Sequence, residues 1–370
     1  MPATKAVKAH GVSDVFEKVS KKLGVTKSVE RYFPENSREM LTAAQYMLSE
    51  GNVMYYIDDY TETHKTAENG NLSDKKCSEM FESLREEDMQ LFFRDWMRHK
   101  KQTEYLAYDV TSISSYSESI RELEWGYNRD KEKLPQINMG MYYGEESGLP
   151  LYYRIYPGSI SDKTHLKYMV ADNEFINGKR TRFVVDRGFY SRENLQYLTE
   201  SGYRFVIALP DSLKYCRELV SEHGAEIVNH SEFLLGPGLP YGKSYESMAL
   251  GFRTKIHLYY DPEKALRETS ALYALLNAQE NDLKSMEEPP DKSLHYDKYF
   301  YINRSKDGKL GYIRNFKAID EASKYCGFFL IAETDFKKTT AGILDIYRCR
   351  DTIEKSFDDL KNGLDMKRLH

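Results

Sequence analysis

Four side chains near the end of the sequence have the types and spacing that suit a nucleic-acid phosphate. Residues 343–361 contain no proline or glycine, and their apolar residues recur at helical spacing, which predicts one helix. At about 100° per residue, Tyr347, Arg350, Glu354 and Lys361 fall on one narrow face of that helix. Such a carboxylate can ligate a metal ion while the cations hold phosphates. The same spacing is also common on a solvated face with weak ion pairs.

Two aspartates upstream supply further carboxylates. The apolar run 105–111 predicts a strand with Asp109 near its end, and 183–185 predicts a buried strand that delivers Asp186 at its C-terminal end. Either aspartate alone is more often a turn or cap residue. Together with Glu354, however, they can converge to hold two divalent cations about 3.5–4 Å apart. Such a pair of ions activates a water or a 3′-hydroxyl for in-line phosphoryl displacement.

Composition predicts a soluble globular protein. Of the 370 residues, 41% are hydrophobic and 30% are charged. No apolar run approaches the ~18 residues that span a bilayer, and the N-terminus has no apolar signal segment. The four cysteines form no C-x-x-C pair, which favours reduced thiols and a cytoplasmic location. No membrane partner is expected.

Charge is unevenly distributed along the chain. The net charge of −5 counts against a simple non-specific nucleic-acid binder. Residues 1–31 nevertheless carry seven basic and three acidic side chains, a net charge of +4. This segment fits a small DNA-reading part attached to a catalytic part, and it fits a solubilising tail equally well.

The first hundred residues are predicted to be mostly helical. Helical spacing of apolar residues predicts a helix over 11–23. Asn36 and Glu39 have the spacing of a capping box, which would open a helix that Gly51 closes. Two more helices are predicted at 74–84 and 86–100. The pattern at 53–64 does not distinguish a helix from other structure. No helix-turn-helix spacing identifies groove-reading residues.

From residue 104 onward the pattern alternates between strands and helices. Strands are predicted at 105–111, 136–143 and 149–156, of which the last two form a hairpin. A helix at 161–171, the strand at 183–185, a helix at 191–200 and a strand at 204–209 follow. This order implies a mixed sheet with helices on its faces. Residues 210–335 break the pattern and are interpreted as an insertion, with a strand at 328–332 that leads into the final helix.

Taken together, these motifs resemble the DDE transposases of the insertion-sequence-four family. The signature of that family is Tyr, two residues, Arg, three residues, Glu, six residues and Lys, which Tyr347, Arg350, Glu354 and Lys361 meet. Its second aspartate lies in an Asp-Arg-Gly-Phe/Tyr context, present here at 186–189. Three further segments also resemble sequences of that family: 127–130, 136–138 and 148–162. The resemblance covers roughly residues 100–370.

The resemblance implies an α/β fold with a ribonuclease-H-like mixed sheet flanked by helices. A β-rich insertion would precede the last catalytic helix. Residues 1–100 lie outside the resemblance, and their helical pattern and basic start predict a helical, DNA-binding N-terminal region. The predicted domains after it are the first part of the catalytic core at 101–210, an insertion subdomain at 211–335, and the closing catalytic helix at 336–370. The sequence ends 16 residues after Glu354, where such cores usually continue with another helix, so a full-length enzyme and a truncated copy or fragment both stay open.

The resemblance also assigns roles to seven residues. Three carboxylates would be catalytic ligands of two Mg²⁺ ions, with Mn²⁺ as a substitute: Asp109, Asp186 and Glu354. Four side chains would contact transposon-end DNA near the cleaved phosphate: Tyr347, Arg350, Lys361 and, next to the second aspartate, Arg187.

The implied reaction is cut-and-paste transposition. The element end would be nicked by hydrolysis, and the freed 3′-hydroxyl would attack target DNA within a synaptic homodimer. Some relatives hold a flipped base with a tryptophan of the insertion, but here Trp96 and Trp125 both lie outside it. A tyrosine or phenylalanine of the insertion would take that role, or the hairpin step would differ.

Three other interpretations stay open at this stage. The first is a metal-dependent nuclease of the same fold that only hydrolyses. The second is a catalytically inactive, transposase-derived DNA-binding protein, which the acidic net charge and early end favour and the intact carboxylates oppose. The third is an α/β protein with no nucleic-acid role, whose acids are surface charge.

Overall fold

The computed structural model describes residues 7–68, 70–99, 104–177, 181–304 and 310–369. The chain divides into one unit of Met1–Phe205 with Ile346–His370 and a second unit of Val206–Asp345. All seven predicted site residues belong to the first unit. The four predicted domains stay predictions, since this division does not test their boundaries.

The described part of the first hundred residues is mostly helical, as predicted. Its helices are α1 (Gly11–Leu23), α2 (Val25–Tyr32), α3 (Ser37–Ser49), α4 (Ile57–Thr63), α5 (Asp74–Ser83) and α6 (Glu86–Trp96). The undecided segment 53–64 is therefore helical, with a 3₁₀ turn at Met54–Tyr56 before α4. A second 3₁₀ turn, Met97–His99, follows α6.

The predicted capping box is wrong, although α3 begins where it was expected. The Asn36 side chain makes no hydrogen bond to the α3 backbone. Its amide instead donates to Ser83 Oγ at 2.8 Å, at the end of α5. The Asn36 side chain that would have capped α3 is thus used in a contact between α3 and α5. Gly51, with φ 109°, follows the helix in a backbone conformation that favours glycine.

A mixed sheet forms the core of the first unit, as predicted. Its strands are β1 (Tyr105–Ser115), β2 (Gln136–Gly144), β3 (Pro150–Pro157) and β4 (Arg182–Val185), in the order β3-β2-β1-β4. β1 pairs antiparallel with β2 and parallel with β4, and β2 pairs antiparallel with β3. Helices α7 (Asp162–Asn177) and α8 (Arg192–Glu200) flank β4 in the chain.

The prediction that Asp109 lies near the end of its strand is wrong. β1 continues to Ser115, so Asp109 lies within it. Three residues past the predicted end, 112–114, still pair with β2, and Ser112 Oγ donates to Asn138 Oδ1 at 3.1 Å. Hydrogen bonds to β2 therefore hold polar residues in β1, although the local sequence pattern does not predict a strand there.

The second unit contains both helices and strands, with more residues in helices than in strands. β5 (Arg204–Leu209) crosses the boundary between the units. After it come α9 (Lys214–Asn229), β6 (Tyr241–Ser247), β7 (Thr254–Tyr260), α10 (Pro262–Ser285), β8 (Phe300–Arg304), β9 (Leu310–Arg314), α11 (Phe316–Lys324) and β10 (Phe328–Glu333). Within this unit, β10 pairs antiparallel with β7 and with 206–209 of β5, and β6 pairs with β7. The hairpin β8–β9 shares an apolar cluster with α10 and α11.

The predicted final helix is divided into three segments, so the prediction of one helix is wrong. They are α12 (Thr340–Arg348), α13 (Arg350–Asp358) and a π-helical turn, Asp359–Gly363. Cys349 has φ −60° and ψ −16°, close to 3₁₀ values, and Thr352 N–H donates to its carbonyl oxygen. The π turn takes extra residues per turn, so Lys361 is rotated off the face that regular helical spacing predicts. The short strand β11 (Arg368–Leu369) then pairs parallel with β1.

Two further sequence expectations concern the described residues only. None of the described helices combines the length and apolar character needed to cross a membrane. All four cysteines are free thiols, as predicted.

Candidate active site

Asp109 and Asp186 are brought side by side by the parallel pairing of β1 and β4. The register pairs Tyr108 with Val185, so the two residues that follow are neighbours across the ladder. Adjacent strands lie about 4.8 Å apart. The positive charge of Arg350 and the negative charge of Asp186 both act on the Asp109 carboxyl, as expected for groups in one site.

Alternation along β1 decides which way Asp109 faces. Ala107 and Ile113 pack in one apolar cluster with Ile353 and Phe357 of α13. Because side chains two apart on a strand share a face, Asp109 lies on the face that α13 covers. The third predicted carboxylate, Glu354, is carried by that same helix.

Arg350, in the first turn of α13, joins two of the three carboxylates. Its guanidinium Nη2 lies 2.9 Å from Glu354 Oε1, and its Nη1 lies 3.6 Å from Asp186 Oδ2. The side chain is only 17% exposed, whereas Glu354 is 53% exposed. Arg350 thus supplies positive charge between the second aspartate and the glutamate.

Asp109 carries a desolvated carboxyl. Burial raises the pKa of its carboxyl to about 6, although Arg350 and Arg129 act in the opposite direction. The backbone N–H of Val110 donates to Oδ1 at 2.8 Å. A desolvated carboxylate whose main compensation is one backbone donor is well suited to bind a cation.

Tyr347 is a partner of Asp186. Its phenol donates to Asp186 Oδ1 at 2.9 Å. Burial, followed by the charge of Asp186, raises the pKa of the Tyr347 phenol. The guanidinium carbon of Arg350 lies 5.6 Å from the centre of the tyrosine ring, a distance at which the cation and the ring attract each other. The Asp186 carboxylate is therefore contacted from two successive helices.

Lys361 is held in an ion pair. Its ammonium lies 2.6 Å from Asp130 Oδ2, and its side chain is 10% exposed. Asp130 belongs to the connection between β1 and β2. The pair therefore links the π-helical turn after α13 to that connection.

Arg187 stands apart from the other predicted site residues. It is exposed and does not line the cavity described below. Its charge acts on the phenol of Tyr347, which is the interaction that relates it to the site.

A cavity of about 480 Å³ brings the predicted residues together. Five of the seven line it: Asp109, Asp186, Arg350, Glu354 and Lys361. Tyr347 reaches it through its hydrogen bond to Asp186. The site is therefore assembled from β1, the end of β4, and α13 with its π-helical extension.

Several residues of the same cavity had no assigned role in the sequence. Arg129, Asp130, Asp162 and Lys367 all line it. Arg129 forms an ion pair with Asp162, which also accepts a hydrogen bond from Tyr156 Oη at 3.2 Å. The sequence did mark these residues, because 127–130 and 148–162 resemble segments of the family. Which charged side chains pair with each other, however, is decided by tertiary contacts.

The donor chemistry of the site suits a divalent cation. Asp109, Asp186 and Glu354 offer hard carboxylate oxygens, which Mg²⁺ prefers. Among the described residues, no three His, Cys, Asp or Glu side chains are grouped closely enough to hold an ion. Arg350 lies between Asp186 and Glu354 instead. The two-ion site therefore stays a prediction.

Fold and cavity together define a mixed α/β protein whose sheet carries an acidic cavity flanked by cations. The family model for the transposase DDE domain matches residues 100–370, so the chain belongs to that family. Among solved structures, the chain is similar to a piggyBac transposase in a cryo-EM structure of its synaptic complex with hairpin DNA. That similarity has 10% identity and a TM-score of 0.46 and covers 90% of this chain and 61% of the piggyBac chain. No curated protein matches the sequence.

Proposed function

We propose that the chain is a cut-and-paste transposase of the insertion-sequence-four branch of this family. It would cleave DNA at the ends of a mobile element and join the freed 3′-hydroxyl to target DNA. The observation that carries the proposal is that Asp109 and Asp186 directly follow the Tyr108–Val185 pair of the parallel ladder, on the sheet side that the Glu354 helix covers. The match of Tyr347, Arg350, Glu354 and Lys361 to the signature of that branch supports the finer assignment.

Three carboxylates would hold two Mg²⁺ ions, or Mn²⁺ in their place: Asp109, Asp186 and Glu354. When bound, the ions supply an activated water or 3′-hydroxyl and stabilise the leaving oxygen. The raised pKa of Asp109 supports its role, because a desolvated carboxyl gains most from a cation.

The cations of the site would hold the phosphates of the cleaved strand. Arg350 offers a planar fork for a phosphate, and its Nε–H is buried without an acceptor among the described residues. Lys361 would add a point charge at the opposite end of α13, with Arg187 outside the cavity. Tyr347 would keep the Asp186 carboxylate oriented through their hydrogen bond.

The partners of this activity are the two element ends and the target DNA. Pairing of two ends calls for a homodimer in the synaptic complex. A basic N-terminal segment within the helical region 1–100 would add DNA contacts. The four free thiols fit a cytoplasmic location.

An excision and joining assay tests the proposal. The donor plasmid carries a marker between the genomic sequences that flank the coding region, and the target is a second plasmid. Wild-type protein should excise and join the marker with Mg²⁺ or Mn²⁺ and fail with EDTA. Asp109→Asn, Asp186→Asn and Glu354→Gln should each abolish cleavage and retain DNA binding, because they remove ligand charge and leave the phosphate contacts in place.

Asp351→Asn is the matched control, since Asp351 is exposed on α13 and does not line the cavity. It should cleave like wild type. Cleavage retained by any of the three site variants would remove that residue from the site. Cleavage without joined products would indicate a nuclease that only hydrolyses.

One observation favours an inactive, transposase-derived DNA-binding protein as a second candidate. Arg350 already neutralises Asp186 and Glu354 without an ion. For this candidate, wild-type protein would bind the element ends but show no cleavage at any Mg²⁺ or Mn²⁺ concentration. The same assay therefore separates the two candidates.

A further inference from the structure

Two aromatic rings stand in solvent on the connection between β1 and β2. Residues 116–135 form this connection, named here the β1–β2 loop. Trp125 is 66% exposed and Tyr127 is 82% exposed. Burying either ring would gain free energy, so two exposed rings in three residues indicate a surface that a ligand covers.

The backbone that carries these rings is held on both sides. Glu124 and Gln136 exchange two backbone hydrogen bonds of 3.1 and 3.0 Å. Gln136 Nε2 donates to the carbonyl oxygen of Tyr127 at 2.9 Å, and Asn128 Nδ2 donates to Ser114 Oγ at 3.0 Å. The rings are therefore presented from anchored backbone.

Gly126, between the two rings, packs closely against the backbone of Gly158. A Cβ added to Gly126 would overlap the carbonyl oxygen of Gly158, so this position faces the body of the unit. Trp125 and Tyr127, on either side of Gly126, are both exposed, so their rings lie in solvent while the residue between them packs against the unit.

The rings lie close to the candidate active site. Tyr127 precedes Arg129 by two residues, and Arg129 lines the cavity. Two peptide units span at most about 7 Å, so the Tyr127 backbone is within that distance of the Arg129 backbone. Lys131 and Lys133, farther along the loop, are exposed. Aromatic rings interleaved with cations are typical of surfaces that bind single-stranded nucleic acid.

From this arrangement we infer that Trp125 and Tyr127 form a stacking platform for an unpaired base of the DNA strand held in the cavity. The inference rests on the proposed function, because it requires DNA at that site. It assigns base stacking to the β1–β2 loop of the catalytic core and not to a residue of 211–335. The exposed lysines of the loop would hold the phosphates on either side of the stacked base.

Fluorescence of 2-aminopurine tests the platform directly. The probe is a 20-base-pair duplex of an element end with a four-nucleotide single-stranded extension, carrying 2-aminopurine at each extension position in turn. A blunt duplex is the paired reference. Wild-type protein should bind the extended duplex more tightly than the blunt one and quench one position. Tyr127→Ala and Trp125→Ala should each lose roughly tenfold in affinity for the extended duplex only, and with it the quenching.

Tyr127→Phe keeps the ring and should bind and quench like wild type. Tyr273→Ala is the matched control, because Tyr273 is 51% exposed on α10. Equal wild-type affinity for the two duplexes, or unchanged quenching in the alanine variants, would overturn the platform alone if wild-type protein still cleaves element ends. Wild-type protein that binds neither duplex would overturn the proposed function and the platform with it.

Discussion

The ammonium of Lys361 lies 2.6 Å from the carboxylate of Asp130, 231 residues away in the chain. Lys361→Ala should therefore lower the free energy of unfolding by about 1 kcal/mol, because it leaves a partly buried carboxylate without its partner. Urea denaturation measures this loss. A double-mutant cycle with Asp130→Ala should give a favourable coupling energy between the two side chains.

The same lysine is predicted to contact DNA, and its salt dependence separates the two roles. If Lys361 also holds a phosphate, Lys361→Ala should reduce the slope of log affinity against log salt by about 1. An unchanged slope with reduced stability would make Lys361 a structural residue only.

Removal of Arg350 should strengthen metal binding in the absence of DNA. The guanidinium contacts Asp186 and Glu354, so an ion that uses both carboxylates has to displace it. Loss of an ion pair worth about 1 kcal/mol corresponds to several-fold in affinity, so Arg350→Ala should bind Mn²⁺ several-fold more tightly. Electron paramagnetic resonance of free Mn²⁺ measures this affinity.

Arg348→Ala, which removes an exposed arginine two residues away, is the control for that experiment and should bind Mn²⁺ like wild type. Equal or weaker binding by Arg350→Ala would show that the arginine does not compete with the ion.

His165 should make stability fall in mild acid. Its ring is buried, stacks on Tyr156 with centres 3.4 Å apart, and shares a hydrogen bond of 3.1 Å with Tyr108 Oη. Burial lowers the pKa of His165 to about 3, with a further contribution from Arg154. In the unfolded chain the pKa of this histidine is about 6.5. Between pH 6.5 and 3, therefore, the histidine is protonated in the unfolded state and neutral in the folded state.

The stability supplied by neutral His165 is therefore complete above pH 6.5 and is lost as pH falls toward 3. This one group contributes a slope of about 1.4 kcal/mol per pH unit well below pH 6.5. Urea denaturation at pH 6.5, 5.5 and 4.5 should show a shallower decline for His165→Gln than for wild type. His10→Gln, at an exposed histidine, should follow wild type. Parallel curves for wild type and His165→Gln would contradict the assignment.

Gly126→Ala should disturb the β1–β2 loop more than its size suggests. The added methyl group overlaps the Gly158 carbonyl oxygen, which is backbone and cannot rotate away. We expect a loss of about 1–3 kcal/mol in the free energy of unfolding, as for overpacking elsewhere. Gly11→Ala is the control, since nothing lies within 4 Å of its added Cβ. Equal stability of the two variants would show that the loop yields at Gly126.

Local pattern was enough to predict most strands and helices of the first unit. It failed where the deciding contact is distant in sequence. The polar Ser112 and Ser114 extend β1 because β2 pairs with them, and Cys349 divides the last helix without a proline or glycine to mark it. The apolar spacing in α1 predicted the helix but not its buried side, for Val12, Val15 and Val19 are exposed while Ser13 and Ser20 are buried.

The candidate site was predictable in part for the same reason. Motif spacing singled out Asp109, Asp186 and Glu354, and the structure places all three on one cavity. The partners of Lys361 and Arg129 could not be foreseen, because tertiary contacts of the β1–β2 loop with the π-helical turn and with the start of α7 bring the pairs together.

The parallel ladder between β1 and β4 has a consequence for how this protein would lose its chemistry. A slip of a single residue along that ladder would turn Asp109 to the opposite side of the sheet and leave a tyrosine or valine next to Asp186. The acidic cavity can therefore form only when β1 and β4 pair in the correct register. Molecules with frayed or misaligned strands should be inert rather than partly active.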